Sequence, residues 1–160
     1  MKVLHFVSRV TGGAGMAAWK LHSSLAKKGI NSELVTLDEN ARKTDGILDL
    51  VVERNLSSRL YRKLRGFAYN RHFEKIKKNR PTGLELFSPE WTRLGKTICI
   101  DRYGADVVTL HWISGLIDIP AFFSRLDLPI VWRIPDEFPL TGGCHYSLGC
   151  EGWRNGCGTC

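Results

Sequence analysis

A glycine-rich stretch near the N-terminus has the residue types of a phosphate-binding turn. The stretch Thr11-Gly12-Gly13-Ala14-Gly15 follows a short apolar segment and precedes apolar residues at helical spacing. Backbone N–H groups in the first turn of a helix attract anions, and glycine lets a ligand approach that backbone closely. The stretch therefore predicts a phosphate site, and its alternative is a tight turn that binds no ligand.

The same stretch also matches a dinucleotide-binding fingerprint. Residues 13–18 read GAGMAA, which has the form G-x-G-x-x-A, and Asp38 lies 25 residues after Gly13. In dinucleotide-binding proteins an acidic residue near this spacing binds the ribose. A protein that binds NAD(P) or another nucleotide is therefore an alternative interpretation.

One histidine lies where a parallel sheet would place a catalytic group. His111 comes at the end of residues 105–112 (ADVVTLHW), an apolar run that predicts a buried strand. Ligands of open α/β sheets bind beyond the carboxyl ends of the strands. His111 is therefore a candidate catalytic residue, with a packed core histidine as the alternative.

Four cysteines are concentrated in the last seventeen residues with the spacing C-x5-C-x6-C-x2-C. Four thiolates with a C-x2-C pair are typical of a structural zinc site. An iron–sulfur cluster would use the same ligands, and two disulfides or free thiols are further alternatives. The residues concerned are Cys144, Cys150, Cys157 and Cys160.

The positive charge of the chain lies in one segment. Residues 55–80 carry nine lysines and arginines and one glutamate, whereas the net charge of the whole chain is +7. Leu56, Leu60 and Leu64 recur every four residues, which predicts a helix over 56–79 with a break near Gly66 or Asn70.

This basic segment has two alternative roles. It is either a solvated helical hairpin packed on the domain or a helix that lies on an anionic membrane surface. No nucleic-acid partner is expected, because no helix-turn-helix, zinc-finger or RNA-binding pattern surrounds it. The candidate contacts to a substrate or to the membrane are Arg62, Lys63 and Arg65.

The elements that must position these residues alternate along the chain, which predicts one α/β domain with a Rossmann-like parallel sheet flanked by helices. Strands are predicted at 2–8, 32–37, 47–52, 105–112 and 130–134, and helices at 16–28, 56–79, 93–102 and 120–126.

Length and composition agree with a single globular domain. The chain has 160 residues, of which 43% are hydrophobic and 24% charged. The sequence contains no run of 18 or more apolar residues, so it predicts no membrane span. His5, Ser8 and Arg9 interrupt the first apolar run, unlike the core of a signal peptide, so we expect a cytoplasmic protein.

Three blocks in this order resemble glycosyltransferase family 4, in its bacterial exopolysaccharide and lipopolysaccharide branch. They are TGGAGMAAWKLHSSL, ADVVTLHWISG and PIVWRIPDEFPLTGGCHYSLGC with the final CGTC. The resemblance implies a GT-B architecture, in which two Rossmann-like domains face each other across a cleft. It covers residues 1–160 as the N-terminal, acceptor-side domain, so we expect a truncated product or fragment that lacks the C-terminal donor domain.

The resemblance also implies roles for single residues. Gly12, Gly13, Ala14 and Gly15 would face the diphosphate and sugar of the donor, and His111 would lie at the reacting centre. The family's third block reads Thr-Leu-His-Asp where this chain has residues 133–136 (RIPD), so that Asp136 alone remains as a catalytic candidate.

The implied activity is retaining transfer of a sugar from a nucleotide-sugar donor to a polysaccharide or lipid-linked acceptor, at the inner face of the membrane. No cofactor is expected for catalysis, and zinc would be structural. The chain alone is expected to be inactive, because the donor half is missing. Alternatives are the nucleotide-binding Rossmann protein and a metal-stabilised binding module that is not an enzyme.

Overall fold

The computed structural model describes residues 1–39, 41, 44–79 and 87–156. Its strands are β1 (Lys2–Phe6), β2 (Asn31–Val35), β3 (Ile47–Leu48), β4 (Val107–Leu110) and β5 (Ile130–Trp132). Its helices are α1 (Gly12–Lys27), α2 (Leu56–Asn79), α3 (Ile119–Phe123) and α4 (Phe138–Thr141), with 3-10 turns at Gly95–Thr97, Ile100–Tyr103 and Gly152–Asn155.

The strands form one parallel sheet in the order β3-β2-β1-β4-β5, which confirms the predicted Rossmann-like α/β fold. In register, Leu4 of β1 lies opposite Glu33 of β2 and Val108 of β4. The chain runs outward from β1 to β3 and then returns to place β4 on the other side of β1. The loops after β1 and β4 therefore diverge, and this is where such sheets form a ligand crevice.

Apolar residues on both faces hold the sheet in place. On one face the Phe6 ring makes edge contacts with Tyr103 and Phe122, with centroids 6.2 and 5.6 Å apart. On the other face Val7 and Leu34 are fully buried and pack with Ala18 of α1. Burial on both faces explains why β1 and β4 are continuous apolar runs in the sequence.

Several predicted boundaries were wrong. Helix α1 begins at Gly12, not at 16, so the glycine-rich stretch forms its first turn. Helix α2 runs through Gly66 and Asn70 without a break. Residues 93–102 contribute to two 3-10 turns instead of one helix, and the strand predicted at 47–52 is reduced to Ile47–Leu48.

A buried ion pair fastens the basic helix α2 to the domain. The Asp118 side chain is 2% exposed, and one of its oxygens accepts hydrogen bonds from the Arg65 guanidinium and, at 2.9 Å, from the Thr92 backbone N–H. Its other oxygen caps α3 by accepting from the Ala121 N–H at 3.1 Å. Asp118 thus joins three segments that are distant in sequence.

Replacement of Asp118 with asparagine is expected to lower the free energy of unfolding by about 2 kcal/mol, because a partly buried guanidinium loses its counter-charge. Urea denaturation followed by circular dichroism measures this effect. The exposed Asp127 lies nearby in sequence, so Asp127→Asn is the matched control. Equal midpoints for the two variants would contradict the role given to Asp118.

Candidate active site

Two adjoining clefts of about 680 and 690 Å³ open at the carboxyl ends of β1 and β4. Both are lined by Arg9, Thr11 and Trp112. The first turn of α1 forms one wall, and Asp136, in the loop after β5, lines the first cleft. The crevice therefore lies at the switch point where open α/β sheets bind their ligands.

The first turn of α1 presents backbone N–H groups at this crevice. Thr11 is the N-cap residue in an extended conformation, and its side chain makes no capping hydrogen bond. Gly12 has a φ of +81° and lines the first cleft with Gly13 and Ala14. An uncapped helix N-terminus leaves these N–H groups to a ligand, and a phosphate oxygen is a suitable acceptor.

Gly15 allows the first turn of α1 to pack closely against the preceding loop. It is buried, and a Cβ atom on it would lie 2.4 Å from the Arg9 carbonyl oxygen and 2.4 Å from the Val10 carbonyl carbon. By contrast, a Cβ on Gly13 would meet no atom within 4 Å. Gly15 therefore sets the geometry of the loop, whereas Gly13 borders open space.

Two arginines that sequence reasoning missed line the first cleft. Arg9 follows β1, Arg133 follows β5, and both side chains are exposed. Neither forms an ion pair with any carboxylate in the part of the chain that the structure describes. A guanidinium binds phosphate oxygens in a bidentate manner and stays charged at all physiological pH values. Together with the first turn of α1, these residues give the first cleft groups that suit an anion.

Asp136 lines the first cleft, and both oxygens of its carboxylate accept hydrogen bonds from neighbouring residues of the chain. One carboxylate oxygen accepts from the Phe138 N–H at 3.1 Å, and the other accepts from Nδ1 of His145 at 2.6 Å. The other ring nitrogen of His145 lies 2.9 Å from the Ser88 hydroxyl. This chain of bonds fixes the loop after β5. The catalytic role of Asp136 stays a prediction, and nothing in the sequence apart from its place among the cysteines singles out His145.

His111 does not line either cleft. Its side chain is buried, and its Nε2 atom lies 3.2 Å from Nδ1 of His5. The contacts continue from His5 to the Ser32 hydroxyl at 3.1 Å and from there to His22 at 3.0 Å. Burial lowers the pKa of both His5 and His111 to about 4, so both rings are uncharged at neutral pH. The catalytic role of His111 stays a prediction.

The remaining predicted residues lie outside the crevice. On α2, Lys63 is exposed, Arg62 donates to the Glu53 carbonyl oxygen at 2.5 Å, and Arg65 holds Asp118. Cys144 is half-buried and Cys150 exposed. Cys157 and Cys160 lie outside the described residues, so the zinc site stays a prediction. Within the described ranges, no group of three His, Cys, Asp or Glu side chains is arranged to hold a metal ion.

The fold defines a Rossmann-like α/β protein, and two arginines line the cleft at its switch point. No family model and no solved structure matches the chain. Among curated proteins, the chain is 44% identical over 59 residues to the "Putative colanic acid biosynthesis glycosyl transferase WcaC" of Escherichia coli (strain K12). The match covers 34% of this chain and 14% of that protein, and it supports a relationship to glycosyltransferases.

A spanning helix needs about 20 predominantly apolar residues. None of the helices within the described ranges is long and apolar enough to cross a membrane.

Proposed function

We propose that this chain is the acceptor-side domain of a GT-B glycosyltransferase of family 4, which transfers a sugar from a nucleotide-sugar donor to a polysaccharide or lipid-linked acceptor. The observation that carries the proposal is the uncapped N-terminus of α1, which lines the same cleft as Arg9 and Arg133. The partial match to a glycosyl transferase supports it.

The cleft supplies positive charge where this reaction needs it. In glycosyl transfer the bond between the sugar and the diphosphate breaks while an acceptor hydroxyl forms the new bond and loses its proton. Negative charge then builds up on the leaving diphosphate. Oriented N–H groups and guanidinium groups stabilise that charge in the transition state more than in the ground state. The proposal includes retention of configuration and a second, donor-binding domain, so we expect no turnover by residues 1–160 alone.

Titration with UDP and GDP tests this function. We expect saturable binding that moves the indole signal of Trp112, which lines both clefts. Replacing either Arg9 or Arg133 with glutamine is expected to weaken binding about tenfold, because each variant loses a charge-assisted hydrogen bond. Arg102→Gln, at an exposed arginine of the Ile100–Tyr103 turn, is the matched control. Binding that is unchanged in both cleft variants would contradict the proposal.

A second candidate function has one observation in its favour. Asp38 and Glu39 line the adjoining cleft, where a ribose hydroxyl could be bound. Binding of NAD that is tighter than binding of UDP and is lost in Asp38→Ala would favour a dinucleotide-binding protein.

We also propose that α2 docks on the anionic inner face of the membrane. Four large apolar residues recur on one solvent-exposed face of α2, and such a face usually carries polar residues. They are Leu56, Leu60, Leu64 and Phe67, which are 80%, 58%, 64% and 73% exposed. The exposed basic residues Arg59, Lys63, Arg71 and Lys75 lie on the same helix. Apolar residues that enter the lipid interface beside basic residues that attract lipid phosphates are typical of a membrane-surface helix.

Co-sedimentation with vesicles tests the docking face. We expect binding to vesicles that contain phosphatidylglycerol and loss of that binding in about 0.5 M salt, which screens the lipid charge. We expect about tenfold weaker binding in the double variant Leu64→Gln/Phe67→Gln. Phe123→Gln, at a 38% exposed phenylalanine of α3, is the control. Equal binding to phosphatidylcholine vesicles would contradict the electrostatic part of the proposal.

A further inference from the structure

A second concave surface, distinct from the crevice, is lined by four aromatic side chains. This groove of about 450 Å³ lies between the C-terminal half of α2, residues 87–91, α4 and the 3-10 turn Gly152–Asn155. Its aromatic side chains are His72, Phe87, Trp91 and Trp153, and its carboxylate is Glu90. We call this surface the aromatic groove. Its volume is in the range of about 300–1,000 Å³ that small-molecule sites have.

The Trp91 wall of the groove is held firmly. The Trp91 ring makes an edge contact with Tyr69 at 5.3 Å between centroids, and the Arg65 guanidinium lies 4.9 Å from its centroid. His72 contacts the same ring at 5.5 Å. Because Arg65 is bound to buried Asp118, Trp91 is fixed to the part of the domain that anchors α2. A fixed ring loses little conformational entropy when a ligand packs on it.

Glycines keep the other side of the groove open. A Cβ atom on Gly143 would lie 2.2 Å from the Phe87 ring, so this ring packs directly on the backbone there. Gly142 has a φ of +72°, and a Cβ on it would lie 3.1 Å from a carboxylate oxygen of Glu90. The Glu90 side chain is exposed, while its backbone carbonyl accepts from the Ile119 N–H at 2.9 Å. The carboxylate is therefore free to turn toward a ligand without disturbing the fold.

We propose that the aromatic groove binds one pyranose ring of the acceptor saccharide, an inference that rests on the proposed glycosyl transfer. The C–H groups on one face of a pyranose carry a small positive charge and pack on the negative face of an aromatic ring. The ring hydroxyls donate to a carboxylate such as that of Glu90.

The charge around the groove disfavours the other ligand class that aromatic cages take. Quaternary ammonium groups also pack on tryptophan rings. However, Arg65 lies over Trp91, and the exposed Arg71 and Lys75 lie on α2 within three residues of His72. Arg65 already occupies one face of the Trp91 ring, so a cationic ligand cannot pack on that face.

The groove and the crevice lie on two sides of one hydrogen-bonded loop. Phe87 forms an isolated antiparallel bridge with Cys144, and the next residue, Ser88, bonds to His145. His145 in turn bonds to Asp136, which lines the crevice. A chain of direct contacts thus connects the groove to the proposed donor site.

Indole N–H spectra of the full chain test this inference. The probes are the methyl glycosides of glucose, galactose, mannose and N-acetylglucosamine. We expect at least one of them to move the Trp91 and Trp153 signals saturably and to leave those of Trp19 and Trp132 in place, because neither of these lines the groove. No movement of Trp91 and Trp153 with any probe, or movement of Trp112 alone, would overturn the inference.

Variants of exposed residues strengthen the test. Trp153→Ala and Glu90→Gln are each expected to weaken glycoside binding about tenfold. Phe123→Ala and Glu74→Gln change exposed residues outside the groove and are the matched controls. Equal affinity in all four variants would place the glycoside elsewhere and overturn the inference. Titration with UDP, read at Trp112, tests the proposed function separately from the groove.

Discussion

Replacing Gly15 with alanine is expected to abolish UDP binding and to lower the free energy of unfolding by about 3 kcal/mol. The added Cβ would lie 2.4 Å from a backbone oxygen of Arg9 and 2.4–2.5 Å from backbone atoms of Val10. Backbone atoms cannot move aside as a flexible side chain does. The loop would therefore separate from α1, and the Arg9 guanidinium would lose its position beside the helix N-terminus.

Gly13→Ala is the matched control for this substitution. Gly13 belongs to the same helical turn, yet a Cβ there meets nothing within 4 Å. We expect its urea midpoint to equal or exceed that of the parent chain, because alanine favours the helix over glycine. Calorimetric titration with UDP and urea denaturation measure both effects. Equal midpoints for Gly15→Ala and Gly13→Ala would show that Gly15 does not set the loop geometry.

The second large effect is a loss of stability in acid. His5 and His111 have pKa values lowered by burial to about 4, whereas an unfolded chain has the ordinary value of 6.5. As pH falls below 6.5, the unfolded state binds protons that the folded state does not bind. The stability that this pair contributes is therefore complete above pH 6.5 and is lost as pH falls to about 4, by at least roughly 3 kcal/mol for the pair.

The contact between the two rings gives a further physical reason. Their nitrogens are 3.2 Å apart, and this geometry allows one shared proton but not two. Urea midpoints at several pH values measure the decline. His72→Gln, at an exposed histidine, should leave the profile unchanged. The ring signals of His5 and His111 provide a direct check, since titration of either near pH 6.5 would contradict the buried pair.

The fold class and the position of the glycine-rich turn could be predicted from local patterns. Continuous apolar runs at β1 and β4 predict strands covered on both faces, and such strands are typical of parallel sheets. The alternation of strands and helices then leaves few topologies. The glycine-rich turn at residues 11–15 was also predictable, because the types of neighbouring residues mark such a turn, although α1 begins at Gly12 and not at residue 16.

The orientation of the His111 side chain could not be predicted from the sequence. The sequence places it at the end of β4, but whether the ring turns to the crevice or to the layer beneath α1 depends on the packing of that layer. In the structure it meets His5, a residue of a strand more than a hundred positions away in sequence. A buried polar group needs such a partner, and only the paired strands provide it.

By itself, therefore, the sequence determined the main elements, the parallel sheet and the place of the glycine-rich turn, because each depends on residues close together in the chain. The tertiary structure alone decided which side chains converge. Arg9 and Arg133 meet at one cleft because β1 and β5 end at the same edge of the sheet. His72, Trp91 and Trp153 meet in the aromatic groove because α2 and the final turn pack against the same segment. Such convergence depends on strand order and loop paths, which local periodicity does not encode.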